Sequence, residues 1–147
     1  MANLIVDTSV YVDFFRGKIP KNDPLAKLLT GLTHSLYLSS VVAQELLMGA
    51  GAAQSVSHLE RFFGNFEAFG RIVTPTRQDW FECGLVLSKL GAKFGFETVG
   101  RSRLVNDVLI ALSCVQTDAR LVTFNRKDFD KISEFVDLEI ESSVGEG

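Results

Sequence analysis

Leu4-Ile5-Val6-Asp7-Thr8-Ser9 is the stretch on which the fold turns. An unbroken apolar triplet runs straight into three residues that cap helices well. A short strand whose consecutive side chains are all apolar is buried on both faces, which is the mark of a parallel sheet between helices. Outward from it the same alternation repeats. Val10 to Arg16 reads as a helix stopped by Gly17, and Pro24 opens a second helix that runs to Leu32. Leu36-Tyr37-Leu38 is the next strand, with Ser39-Ser40 as the cap of a helix over Val41 to Met48, closed by Gly49. Gly51 to Ser57 reads as a small-residue hinge before a helix over Leu59 to Phe66, and Ile72-Val73 as a third strand.

Thr76-Arg77-Gln78-Asp79 fits a capping box, and the helix behind it carries Trp80, Leu85, Leu87 and Leu90 toward Phe94. Gly91, Gly95 and Gly100 read as a flexible stretch, and Leu104 to Val115 as a strongly apolar helix. Leu121 to Phe124 is the fourth strand and Phe135 to Leu138 the fifth, before a polar tail over 142–147 that frays. Strands alternating with helices predict an α/β fold with helices on both sheet faces, in one domain over 1–141.

The chain has 147 residues, 46% of them hydrophobic and 22% charged, which excludes intrinsic disorder. Two cysteines, Cys83 and Cys114, make no disulfide framework, and with only His34 and His58 beside them they make no zinc site. A net charge of −3 argues against a protein that adheres to nucleic acid through a broad basic surface. It leaves room for an enzyme whose carboxylates hold cations that meet phosphates. Met1-Ala2-Asn3 lacks a basic leader and Asp7 interrupts any apolar one, and no apolar run is long enough to span a bilayer. The expectation is a cytoplasmic protein with no membrane segment.

In an open α/β sheet, sites form beyond the carboxyl ends of the strands. Asp7 follows the first strand, Glu45 lies just over a turn into the helix after the second, and Asn125 and Asp128 follow the fourth. Asp107 sits in the first turn of an otherwise apolar helix, where a carboxylate needs donors or a cation. Taken singly, Asp7 and Asp107 also read as helix caps, Glu45 as a solvated helix charge and Asn125 as a turn residue. Taken together, acids that converge repel one another, and a divalent cation relieves the repulsion. Hard oxygen donors suit Mg²⁺ or Mn²⁺, an ion that polarises a phosphoryl oxygen and acidifies water. Asp118 precedes the fourth strand and so belongs to the other end of the sheet, while Asp137, Glu139 and Glu141 come too late for the cleft.

Four segments in order resemble the PIN domain, and more closely the VapC-type toxin ribonucleases of toxin–antitoxin pairs. They are Leu4-Ile5-Val6-Asp7-Thr8-Ser9, Ser39 with Glu45-Leu46, Asn106-Asp107 with Ile110-Ala111, and Leu121-Val122-Thr123 with Asn125 and Asp128-Phe129. The resemblance implies a three-layer α/β/α domain with a parallel sheet of about five strands. It implies an endoribonuclease dependent on Mg²⁺ or Mn²⁺, acting on tRNA or ribosomal RNA, forming a homodimer and held in check by a cognate antitoxin. Asp7, Glu45 and Asp107 match the family's three acids: the first and third as direct metal ligands, Glu45 completing the shell or orienting water. Asn125 stands at the fourth position, where an amide brings no charge. Thr8, Ser9 and Thr123 would hydrogen-bond the carboxylates, with Asp128 as a compensating acid. Arg101, Arg103 and Arg126 flank the site and are candidates for holding the RNA backbone.

Twelve Phe residues exceed what the core needs, so Phe14, Phe15 and the Phe62–Phe69 cluster are candidates for an apolar groove that receives the antitoxin. Two other readings compete: a PIN nuclease that processes RNA without an antitoxin, and a PIN fold that has lost catalysis and binds partners. Phosphoryl transfer through Asp7 is disfavoured, because that chemistry requires a second Asp where Ser9 stands.

Overall fold

The computed structural model describes residues 2–31, 35–97 and 104–141. Its centre is β1 (Asn3–Val6), hydrogen-bonded in parallel to β2 (Leu36–Ser39) on one side and to β4 (Ala119–Val122) on the other. β3 (Ile72–Val73) adds to β2, giving a four-stranded parallel sheet in the order β3-β2-β1-β4. Leu4, Ile5 and Val6 are all buried. Successive strand residues point to opposite faces, so both faces of the sheet are covered, in a three-layer α/β/α arrangement.

The helices follow the strands. α1 (Thr8–Phe15) ends at Arg16 and Gly17, whose φ of 70° suits glycine. α2 (Pro24–Gly31) buries Leu25, Leu28 and Leu29. α3 (Ser40–Ala50) is capped by Ser39, whose side chain accepts from the Val41 N–H. It continues past Gly49, the expected stop, because its terminating residue is Gly51, with φ 75°. The expected hinge over 51–57 is therefore mostly helix: α4 runs Ala53–Ala68.

α5 (Arg77–Phe94) opens with the capping box, in which Thr76 Oγ1 accepts from Asp79 N at 3.1 Å and Asp79 Oδ2 accepts from Thr76 N at 3.0 Å. Gly91 is part of this helix, where a side chain would collide with the Phe96 ring. α6 (Leu104–Thr117) packs against α5, and α7 (Arg126–Ile132) packs against α6.

Three expectations shift. α5 buries Cys83, Val86 and Leu90 at helical spacing, and so turns Trp80, Phe81 and Leu85 outward. The surplus of exposed aromatic surface lies there as well as on the early helices, where Phe14, Phe15, Phe62 and Phe63 are half-buried and Phe66 is buried. The fifth strand does not form over 135–138. Phe135 and Val136 both donate to Ile132 O in the turn after α7, and pairing with β4 waits for a single bridge, Leu121 to Ile140. Gly100 and the 142–147 tail lie outside the described residues.

Candidate active site

β1 has neighbours reached in opposite directions, so the sheet's switch point lies beyond its carboxyl end. Asp7 stands there. Its N–H continues the ladder to Val122 O at 2.8 Å, which fixes the backbone beside the end of β4. The residue occupies the N-cap position of α1, yet its carboxylate makes no capping bond. Instead Oδ2 accepts from Ser9 Oγ and from Thr123 Oγ1, both at 2.8 Å. Each hydroxyl in turn accepts a backbone N–H: Ser9 from Phe124 at 3.2 Å and Thr123 from Asn125 at 2.9 Å. A hydroxyl has one proton to give. The backbone bonds use its lone pairs and leave that proton for Asp7, so the 4%-exposed carboxylate is held by two oriented donors.

Glu45 comes from the middle of α3 and is half-buried, with Thr8 Oγ1 donating to its Oε1 at 2.7 Å. Asp107, in the first turn of α6, is 8% exposed. Asn125 precedes α7 without capping it, and its Nδ2 donates to Asp128 Oδ2 at 3.1 Å. Asp7, Thr8, Ser9, Glu45, Asp107, Asn125 and Asp128 line one cleft of about 430 Å³, together with Val12 and Asp13. Asp13 was not singled out by sequence. It lies four residues after Ser9 on α1 and therefore on the same helix face, which was the available signal.

The cleft thus gathers Asp7, Asp13, Glu45, Asp107 and Asp128, and no Lys, Arg or His lines it among the described residues. Arg126 is exposed at the start of α7 and pairs with Asp130 at 3.5 Å; Arg101 and Arg103 lie outside the described residues. The negative potential reaches past the cleft. Cys114 is pushed up to about 12 by burial and, secondarily, by the charge of Asp7.

The donor set bears on which ion fits. Among the described residues, no three Asp, Glu, His or Cys side chains close on a single point. That excludes a ready-made cage of the zinc or high-affinity calcium kind from these residues as they stand. Mg²⁺ needs no cage: it keeps several waters and takes one or two carboxylates plus substrate oxygens. A cleft with oxygen donors on several walls and room between them suits such a hydrated ion. No described helix is long and apolar enough to cross a membrane.

The sequence matches no curated protein significantly. Solved structures do resemble it. DNA-bound VapBC from Salmonella typhimurium superposes with a TM-score of 0.68 at 19% identity, covering 96% of this chain and 98% of that one. VapBC-1 from nontypeable Haemophilus influenzae gives 0.64 at 24% identity, covering 94% and 96%. VapBC2 from Rickettsia felis, bound to a promoter DNA fragment, gives 0.60 at 21% identity, covering 94% and 96%. At these identities the likeness speaks for the fold. The family model for the PIN domain matches residues 4–134, from the first strand past the last helix and across every segment that builds the acidic cleft, and the chain belongs to the PIN domain family.

Proposed function

We propose that this protein is a divalent-metal-dependent endoribonuclease and the toxin of a toxin–antitoxin pair. One observation carries the reading: five carboxylates drawn from α1, α3, α6, α7 and the end of β1 share one cleft that no cation lines among the described residues. Membership of the PIN family and the likeness to VapBC complexes support it.

In this reading Asp7 and Asp107 hold Mg²⁺ or Mn²⁺. When bound, the ion supplies Lewis acidity at the phosphoryl oxygen and a water acidic enough to attack near neutral pH. Thr123 and Ser9 fix the orientation of Asp7, so the carboxylate does not have to be ordered when the ion arrives. Glu45, tied through Oε1 to Thr8, orients water or completes the ion's shell. Asn125 holds Asp128 in place and adds an amide where an acid would add charge, which favours a single tightly held ion. RNA of the tRNA or ribosomal class is the substrate, a homodimer the working form, the cytoplasm the setting and a cognate antitoxin the inhibitor.

The test is cleavage of total RNA by the purified chain with Mg²⁺ or Mn²⁺, beside Asp7→Asn and Asp107→Asn. Each substitution is expected to slow cleavage about a thousandfold or more, a loss of about 4 kcal/mol in barrier lowering. Equal rates in parent and variants would end the metal-site reading. Coexpression with the protein encoded next to it tests the toxin reading separately: growth arrest by the chain alone, relieved by the partner, is expected. Cleavage without relief would point to a nuclease that works with no antitoxin.

A further inference from the structure

The acidic cleft opens into a second concavity. Val12 and Glu45 line both, and the second is a groove of about 670 Å³ bounded by α1, α3 and α4. Its lining mixes two chemistries. Phe15, Leu46, Ala50 and Leu59 supply apolar surface. α4 also presents Gln54, Ser55, His58 and Arg61, spaced as one helical stripe that rises about 10 Å, with the His58 ring edge-on to that of Phe15 at 6.2 Å. Arg16, directly after α1, adds a second guanidinium.

Position sets these cations apart. Arg16 and Arg61 are exposed and make no ion pair among the described residues; the same holds of Arg77 on α5, but Arg16 and Arg61 line the concavity that adjoins the cleft, and Arg77 lines neither. A polyanion cannot gain affinity from a cleft of five acids, nor from a chain whose net charge is −3. Its phosphates need cations beside the cleft. A single strand presents both bases and backbone, and a groove lined by apolar side chains as well as by donors offers contacts to each.

We propose that this groove is the track along which single-stranded RNA reaches the cleft, with Arg16 and Arg61 holding phosphates and the apolar lining residues receiving bases. The identity of the polymer rests on the ribonuclease reading. The groove contacts carry no base code, so they set affinity and position rather than sequence preference.

The experiment is fluorescence anisotropy of a labelled, unstructured 12-nucleotide RNA titrated with the full chain in EDTA, over a salt series. Arg16→Gln/Arg61→Gln is expected to bind about tenfold more weakly and to lower the slope of log K against log salt by about 1.4, two lost phosphate contacts on a single strand. Arg16→Lys/Arg61→Lys keeps the charges and is expected to stay within about threefold of the parent. Lys21→Gln/Lys27→Gln removes the same charge from positions that line neither concavity and is expected to change affinity less than twofold. Equal losses in the two Gln doubles, or an unchanged salt slope, overturn the proposal.

The outcomes also separate it from the nuclease reading. RNA bound through the arginines but left intact in Mg²⁺ and Mn²⁺ keeps the track and removes the nuclease. RNA cleaved with unchanged affinity and KM in the arginine double keeps the nuclease and removes the track. Loss of a coexpressed partner protein from the arginine double, with RNA affinity unchanged, makes the groove a peptide site and overturns the proposal as well.

Discussion

The two ends of the sheet offer a controlled comparison. Each carries a hollow of about 430 Å³ lined by acids: Asp7, Asp13, Glu45, Asp107 and Asp128 at the carboxyl end, Asp118, Asp137 and Glu139 at the amino end. They differ in what holds the charges. At the amino end Arg120 lines the hollow, bonding Glu139 at 3.1 Å and lying 3.5 Å from Glu141. At the carboxyl end no cation lines the cleft among the described residues, and hydroxyls from Thr8, Ser9 and Thr123 hold two of the carboxylates. A count of acids does not separate a site from a surface. Neutral donors do, because they orient a carboxylate without cancelling its charge and so leave it available to a cation.

The sharpest way to break that comparison is to remove a donor. Thr123→Val keeps the side-chain shape and deletes the proton that Asp7 Oδ2 receives. Loss of such a supporting bond costs about 10- to 100-fold in metal affinity or activity, and cleavage by Thr123→Val is expected to fall by that amount. Ser9→Ala is expected to act in the same direction. Manganese titration by calorimetry should show the affinity falling with the rate. A rate unchanged in both variants would mean that the hydroxyls only fill space.

Cys114 links the two ends, since it lines the amino-end hollow and still feels the charge of Asp7. Its folded-state value is raised from the ordinary 9.0 to about 12. An unfolded chain ionises this thiol first, so its contribution to stability is intact below about pH 9 and is lost as the pH climbs toward about 12. The slope from this group is at most about 1.4 kcal/mol per pH unit. Urea unfolding from about pH 9 to 11 should show a shallower decline in Cys114→Ala than in the parent, after allowing for a lower starting stability from the vacated volume.

Much of the candidate site was legible because its signals are local. Leu4-Ile5-Val6 declares a strand buried on both faces, and Asp7-Thr8-Ser9 follows where a parallel sheet puts chemistry. Asp107 stood out as a charge among apolar neighbours, and the fold buries it. What stayed hidden depends on tertiary choices. Asp13 looks like any aspartate inside a helix until α1 is docked beside the cleft. α5 has apolar residues around much of its circumference, and only packing against α6 selects Cys83, Val86 and Leu90 as the inner stripe. Phe135 to Leu138 has strand character, but the turn out of α7 takes its backbone donors first. Gly49 and Gly51 are both candidate stops for α3, and the positive φ falls on the second.

Tyr11 supplies the opposite case to Thr8 and Ser9 on the same helix. Its ring packs against Phe15 and Phe62, and its hydroxyl is buried with no hydrogen-bond partner among the described residues. Burial pushes the phenol well above its ordinary range. A buried group left unsatisfied costs stability, and removing it with its shape preserved recovers part of that cost. Tyr11→Phe is expected to stabilise the fold by about 1 kcal/mol, a rise of about 3 °C in Tm. Since Tyr11 does not line the cleft, the cleavage rate should hold. A destabilised Tyr11→Phe would show that the hydroxyl has a partner in solution.

The smallest expected effect is the one that most directly tests the contrast between the two ends. Arg120→Gln leaves Glu139 and Glu141 without their cation. Arg120 and Glu139 are largely exposed, at 47% and 70% of their side chains, so solvent screens the pair. Exposed pairs contribute about 0–1 kcal/mol, and the expected loss is at the low end, shrinking further as salt is added. Cleavage should not change, because Arg120 stands in register with Leu4, three residues short of Asp7, and its side chain turns to the acids of the amino end. A thermal melt at two salt concentrations and a cleavage assay on one preparation suffice. If instead Arg120→Gln slows cleavage as much as Thr123→Val does, the ends are not independent. The acids at the amino end would then have to be counted with the site they were contrasted with.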